Sequence, residues 1–228
     1  MKQKDKHVAI DKAYRKKYMR RNLPRFSRFN ISGLFPTDKD TSPHFFESLN
    51  ESNFAQVFEL DSNIKFVRSQ PFSINYTDDG KKRLYTPDFS ITDCFGGICI
   101  VEVKAGEAID NEAKRLHKLI EEEFEKLGFE FVVMTEKDLP SRTTLSNLNM
   151  IMRNAHAVGS VDDEVINYLL DVLPREFSLQ SALAICDSLN LDRDLIFYFI
   201  FKDYMKIDVS SDICNETMIT SNVFEEAK

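Results

Sequence analysis

What the sequence lacks limits what the protein can be. Its four cysteines, Cys94, Cys99, Cys186 and Cys214, do not have the paired short spacings of a zinc site. No apolar run approaches the roughly 20 residues of a membrane span. The charged N-terminus has no apolar segment typical of a signal peptide. We therefore expect a cytoplasmic protein whose thiols are reduced and structural.

The remaining composition is that of a globular protein, with 43% hydrophobic and 29% charged residues. A chain of 228 residues can form one large domain or two modest ones. The net charge of −7 is unevenly distributed, because residues 1–31 hold 11 basic residues against 2 acidic ones, whereas residues 160–228 hold 5 against 14. The net charge argues against a nucleic-acid partner, but this distribution does not.

The first 31 residues form a basic arm in which tyrosines and phenylalanines alternate with the charges. Such an arm would bind DNA phosphates without sequence preference and with strong salt dependence. The alternatives are a solvated tail or a segment that binds an acidic protein surface. The predicted nucleic-acid-binding residues are Lys12, Arg15, Lys16, Lys17, Arg20, Arg21, Arg25 and Arg28. Residues 32–42 read as a linker, so the arm and linker together span 1–42.

A helix is predicted from Ser42, as its N-cap, and Pro43, at its first position, to about residue 59. Glu51 lies on one stripe of this helix with Phe54 and Phe58. An acidic residue on an aromatic stripe is unusual for a solvated face. The periodicity leaves open whether Glu51 is a surface residue or a ligand.

Several strands follow this helix. Residues 64–67 and 71–76 are extended, 78–81 form a hairpin turn, and the return strand runs from about 82 to 92. Pro87 within that strand implies an edge or a bulge, which would turn Asp88 inward. Gly96 and Gly97 make the next turn, and the following strand ends at Glu102, Val103 and Lys104.

The end of that strand offers two interpretations. Residues 98–101, which precede Glu102 in this strand, are all apolar, so the side chains on both faces of the strand should be buried. Glu102 and Lys104 point to the same face. Lys104 could form a simple salt bridge with Glu102 or with Asp88. Alternatively, Asp88, Glu102 and the Val103 carbonyl could bind a hard metal ion, with Lys104 beside them.

A crossover unit completes this region. Residues 110–127 have the pattern of an amphipathic helix that Asp110 can cap and Gly128 can end, and a strand follows at 129–134. The predicted order is therefore helix, three antiparallel strands, crossover helix and a parallel strand, which is an α/β fold. A further helix at 141–158 closes a catalytic domain spanning 43–158.

Residues 159–228 are predicted to form a second, acidic domain. Helices at 161–173, 179–189 and 193–205, with short extended pieces near Ile207 and Met218, give a winged-helix-like outline. The third helix has few basic groups to contact phosphates, so we expect the domain to dock a protein and not DNA. A plain extension of the core is the alternative.

The motifs of residues 43–135 resemble the PD-(D/E)-x-K, restriction-endonuclease-like nuclease core. Within that superfamily they resemble TnsA, the endonuclease subunit of heteromeric cut-and-paste transposons. The resemblance is carried by the segments 85–89 (YTPDF) and 101–104 (VEVK), supported by Glu51, by 59–61 (ELD) and by 68–71 (RSQP).

The resemblance implies a set of roles. Glu51, Asp88 and Glu102 would be the acidic metal-site residues for Mg²⁺ or Mn²⁺, and Lys104 the catalytic lysine. The activity implied is hydrolysis of the 5′ strands at transposon ends, while a separate transposase subunit cuts the 3′ strands. The C-terminal region would contact an ATPase regulator. Alternatives are a stand-alone restriction or resolvase-type nuclease and a non-catalytic DNA-binding scaffold subunit.

Overall fold

A computed structural model describes residues 32–106 and 110–222. The eight predicted nucleic-acid-binding residues of the N-terminal arm lie outside the described part of the chain. The chain divides into two compact units between Leu139 and Pro140. This division falls before the predicted domain boundary at 158, because the helix Arg142–Val158 packs against the helix Leu195–Phe201 of the second unit.

The N-terminal unit contains eight strands and two helices in its described residues. In chain order these are β1 (Gly33–Phe35), β2 (His44–Phe46), α1 (Leu49–Leu60), β3 (Ile64–Ser69), β4 (Ile74–Asp78), β5 (Lys81–Tyr85), β6 (Phe89–Asp93), β7 (Ile98–Val103), α2 (Asn111–Lys126) and β8 (Glu130–Met134).

The main sheet has four strands in the order β3-β6-β7-β8. Strands β3, β6 and β7 pair antiparallel, and β8 pairs parallel to β7 across the crossover helix α2. As predicted, Asp110 caps α2 by accepting a hydrogen bond from the Ala113 N–H, and Gly128 follows the helix with a φ of 78°. The mixed α/β architecture predicted for this region is confirmed.

Strand β7 is covered on both faces, as its uninterrupted apolar run predicts. On one face, Val101 and Val103 pack in a cluster with phenylalanines of α1 and β6. On the other face, Ile100 packs with Ile120 and Phe124 of α2. The strand is therefore the centre of the unit, and a polar side chain at its end is buried as well.

The predicted start of the first helix is wrong. Residues 44–46 form β2, which pairs with β1, and the helix α1 begins after Ser48. The Ser48 Oγ accepts a hydrogen bond from the Glu51 N–H at 3.1 Å, so this serine, and not Ser42, is the N-cap. The physical reason is that His44 is fully buried, which holds its segment in the β2 pairing.

The predicted return strand at 82–92 is also wrong, because two strands occupy it. Strand β5 pairs with β4 in a separate two-stranded ribbon, and β6 belongs to the main sheet. The chain passes between the two sheets at Pro87, whose missing N–H cannot join a ladder. The bulge lies in β3, between Ile64 and Phe66. The predicted hairpin turn is confirmed, with positive φ at both Asp79 and Gly80.

The C-terminal unit contains α3 (Arg142–Val158), α4 (Asp163–Val172), β9 (Glu176–Ser178), α5 (Leu179–Ser188), α6 (Leu195–Phe201), β10 (Met205–Ile207) and β11 (Met218–Ser221). Its three strands pair antiparallel in the order β10-β11-β9. Strand β9 was not expected, and α6 is shorter than predicted because Met205 enters β10. None of the helices in the described residues is long and apolar enough to cross a membrane.

The two serines before α1 provide a test of its N-cap. We expect Ser48→Ala to lower the free energy of unfolding by about 1 kcal/mol, because the first turn of α1 loses its cap. Ser42→Ala, at an exposed position, should change it by less than about 0.5 kcal/mol. Urea unfolding of both variants measures the difference. Equal losses in the two variants would contradict the assignment.

Candidate active site

The structure places the predicted acidic and basic residues at one end of the main sheet. Glu102 lies in β7 and is buried, and Lys104 follows directly after the strand. The Lys104 Nζ lies 2.5 Å from the Glu102 Oε1. The predicted shared face is therefore confirmed, and the salt bridge is present. A salt bridge does not exclude a metal site, since Glu102 has a second carboxylate oxygen.

Asp88 is held by the main chain on both sides. Its Oδ2 accepts a hydrogen bond from the Val103 N–H at 2.7 Å. Its own carbonyl accepts one from the Gln70 N–H, also at 2.7 Å. These contacts follow from the sheet register, in which Ser69 and Val101 both pair with Phe89. Asp88 therefore stands beside the end of β7, although it precedes β6 and belongs to no strand.

Gln70 adopts a φ of 43°, in the left-handed region that non-glycine residues rarely occupy. Its N–H is the donor that holds the Asp88 carbonyl. Strained backbone of this kind is concentrated at functional sites, where surrounding structure keeps it in place. The strain therefore coincides with the residue that positions Asp88.

Glu51 has a structural role as well as a place in the charged cluster. Its Oε1 accepts from the Ser48 Oγ, and its Oε2 accepts from the Glu47 N–H, each at 2.8 Å. Burial is the main cause that raises the pKa of Glu51, and the charge of Glu102 raises it further. Glu51 thus caps α1 and also lies within electrostatic reach of Glu102. The predicted stripe of Glu51 with Phe54 and Phe58 does turn inward, because both phenylalanines are buried.

The three carboxylates act on one another. Burial, followed by the charges of Glu102 and Glu51, raises the pKa of Asp88 to about 8. The Val103 N–H and Lys104 oppose this rise. At Lys104, burial lowers the pKa, but the charges of the carboxylates outweigh it and raise the pKa above its ordinary value. The lysine is therefore an ammonium at neutral pH.

The carboxylate oxygens of Glu51, Asp88 and Glu102 are the type of ligand that a hard cation such as Mg²⁺ prefers. The Glu102 Oε2 is buried and has no hydrogen-bond partner among the described residues. Within residues 32–106 and 110–222, however, no three His, Cys, Asp or Glu side chains stand close enough to form a ready metal-binding group. Each of the three carboxylates also has a protein donor on one of its oxygens or on both.

Two residues near the cluster were not identified from the sequence. His117 on α2 lies within reach of the charges of Glu102 and Lys104, although burial has the largest effect on its pKa, which it lowers. The sequence could have indicated His117 through its spacing, because it lies three residues before the buried Ile120 and therefore on the same face of the helix. The other residue is Tyr85, whose buried hydroxyl has no partner among the described residues. It precedes Thr86-Pro87-Asp88 in the motif, but a sequence does not show which way a ring points.

A family model for the TnsA-like endonuclease N-terminal domain matches residues 61–136. The matched region contains Asp88, Glu102 and Lys104, and Glu51 lies before it. No curated protein matches the chain. The match confirms the resemblance to TnsA-like endonucleases for this region, and the C-terminal unit lies beyond it.

The raised pKa of Asp88 predicts how the stability of the metal-free protein depends on pH. The folded state holds a proton on Asp88 that the unfolded state loses above its ordinary pKa of about 4. The free energy of unfolding should therefore fall as pH rises from about 4 to 8, by at most about 1.4 kcal/mol per pH unit. Asp88→Asn should reduce this slope. Urea unfolding in a chelator at several pH values measures it, and an identical slope in both proteins would contradict the shift.

Proposed function

We propose that the N-terminal unit is a metal-dependent DNA endonuclease, and that the chain is the subunit of a heteromeric cut-and-paste transposase that hydrolyses the 5′ strands at transposon ends. The observation that supports this most is the group formed by Asp88, Glu102 and Lys104 at the end of the central strand. That group lies inside the region that matches the TnsA-like endonuclease model.

Mg²⁺ or Mn²⁺ is the proposed cofactor. Asp88 and Glu102 would hold it, with the Val103 carbonyl and Glu51 as further oxygen ligands. The unpartnered Glu102 Oε2 and the mutual repulsion of the carboxylates are the features that fit a cation. When bound, such an ion would lower the pKa of a water molecule and offset charge on the scissile phosphate.

The protein's own residues have distinct roles in this proposal. Lys104 makes one contact with Glu102 and, with a partly exposed side chain, has N–H groups left to orient water or to donate to a phosphoryl oxygen. Asp88 is fixed in advance by the N–H groups of Val103 and Gln70. Glu51 would have to change its capping contacts in order to bind a metal ion directly.

The other parts of the chain would supply contacts. The arm, through Lys12, Arg15, Lys16, Lys17, Arg20, Arg21, Arg25 and Arg28, would bind DNA phosphates near the transposon end. The C-terminal unit from α4 onward has the order helix, strand, helix, helix, strand, strand, which fits a winged-helix-like domain. Its acidic balance favours a protein partner, and we propose an ATPase regulator. A second transposase subunit would cut the 3′ strands.

Two alternative functions for this chain predict different results when DNA cleavage is assayed. A stand-alone restriction or resolvase-type nuclease of this fold would cleave DNA without any partner protein. A non-catalytic scaffold subunit would bind DNA and never cleave it. Both carboxylates and the lysine are present and already held by contacts within the site, which favours an active enzyme over the scaffold.

Strand cleavage tests the assignment directly. Asp88→Ala and Lys104→Ala should each reduce nicking of transposon-end DNA in Mg²⁺ by at least about 100-fold, because each removes a group that acts on the reacting phosphate. The assay contains the partner proteins, with the partner transposase inactivated. Lys82→Ala, at an exposed position in β5, is the matched control and should cleave like the wild type. Full cleavage by both site variants would exclude the proposed site.

Binding of the metal can be measured without DNA. Mg²⁺ or Mn²⁺ should raise the melting temperature of the wild-type protein by several degrees, because a cation relieves the repulsion between the carboxylates in the folded state only. Asp88→Asn should melt at a higher temperature than the wild type in a chelator and should lose most of the metal response. A wild-type melting temperature that is indifferent to both ions would count against a metal site.

A further inference from the structure

Two buried polar atoms near the candidate site have no hydrogen-bond partner among the described residues. They are the Tyr85 Oη, at the end of β5, and the Glu102 Oε2, near the end of β7. Buried polar groups in folded proteins almost always have a hydrogen-bond partner, so each of these atoms calls for an explanation. One is a donor that lacks an acceptor, and the other is an acceptor that lacks a donor.

Aromatic neighbours hold the ring of Tyr85 in place. Its ring centroid lies 6.4 Å from that of Tyr76 and 6.3 Å from those of Phe124 and Phe131, in edge-to-face arrangements. The four rings belong to the cluster that also contains Ile100, two residues before Glu102 on the same face of β7. The direction of the hydroxyl is therefore set by packing from the β4–β5 ribbon, from α2 and from β8.

Packing brings Tyr85 to the face of β7 on which Glu102 lies, and the electrostatics are consistent with this placement. Burial is the main cause that raises the pKa of Tyr85, and Glu102 raises it further, both by its charge and as a hydrogen-bond acceptor. The hydroxyl therefore keeps its proton and remains a donor. Neither the Tyr85 Oη nor the Glu102 Oε2 makes another hydrogen bond within the described residues, so each is available to the other.

We propose that Tyr85 is a positioning residue of the active site, whose hydroxyl donates a hydrogen bond to the Glu102 Oε2 while Lys104 holds the Oε1. The carboxylate is then fixed from two directions, and its remaining lone pairs point in one orientation. Tyr85 does not touch the substrate and acts through Glu102. As a role in the active site, this inference rests on the proposed function.

The proposed hydrogen bond between Tyr85 and Glu102 gives the β4–β5 ribbon a role in the site. The ribbon lies outside the main sheet, but it contributes Tyr85, three residues before Asp88, to the face on which Glu102 lies. Residues that orient a metal-binding carboxylate typically change metal affinity or activity by about 10–100-fold when they are removed. A loss of this size is expected from the hydroxyl alone.

The test is Tyr85→Phe, which removes the hydroxyl and keeps the ring. The matched control is Tyr76→Phe, in the same aromatic cluster. With Mg²⁺ alone, the concentration that gives half of the melting-temperature shift should rise about tenfold for Tyr85→Phe and remain unchanged for Tyr76→Phe. Single-turnover cleavage at limiting Mg²⁺ should fall in parallel and recover in part at saturating Mg²⁺. An unchanged Mg²⁺ response and rate in Tyr85→Phe would overturn the positioning role.

A second measurement needs neither metal nor DNA. In a chelator, the melting temperatures of Tyr85→Phe, Glu102→Gln and the double variant form a cycle. We expect the two single changes not to add in the double variant, whereas Tyr76→Phe and Glu102→Gln should add. Additive changes for Tyr85 and Glu102 would overturn the contact itself. If the wild type neither cleaves DNA nor responds to Mg²⁺, the proposed function fails and the positioning role fails with it, while this cycle still decides whether the two residues pair.

Discussion

The burial of Glu102 is the constraint on which the rest of the site depends. Strand β7 needs apolar cover on both faces, and that cover also encloses the carboxylate near its end. A buried charge is costly unless it is paired, and Lys104 supplies the pairing on one oxygen. The second oxygen has no hydrogen-bond partner among the described residues. The proposed Tyr85 contact and the proposed cation would both act on this carboxylate.

The break in the chain at Pro87 is the second determinant. A continuous strand through residues 82–92 would have carried Asp88 in a regular ladder. Instead, the chain leaves the β4–β5 ribbon and enters the main sheet, and Asp88 stands between the two sheets with its main chain held by Gln70. The carboxylate can then accept a hydrogen bond from the Val103 N–H. In this position burial, followed by the charges of Glu102 and Glu51, raises the pKa of Asp88.

Much of the fold and site could be predicted from local sequence. The two-sided burial of β7, the cap and end of α2, and the shared face of Glu102 and Lys104 follow from periodicity and capping rules that act within a few residues. The errors arose where two local patterns compete. Ser42-Pro43 and Ser48 are both plausible helix starts, and the pairing of His44–Phe46 with β1 decided between them.

The residue pattern alone was sufficient to identify the Asp, Glu and Lys motif, the strand–helix–strand unit and the resemblance to TnsA-like endonucleases, because these depend on residue types at short spacings. The tertiary structure decided which sheet each part of residues 82–92 joins, which serine caps α1, and that Tyr85 packs in the same cluster as Ile100. Those features depend on long-range pairing and side-chain packing. Both are set by the burial of the whole unit, and no short stretch of sequence encodes them.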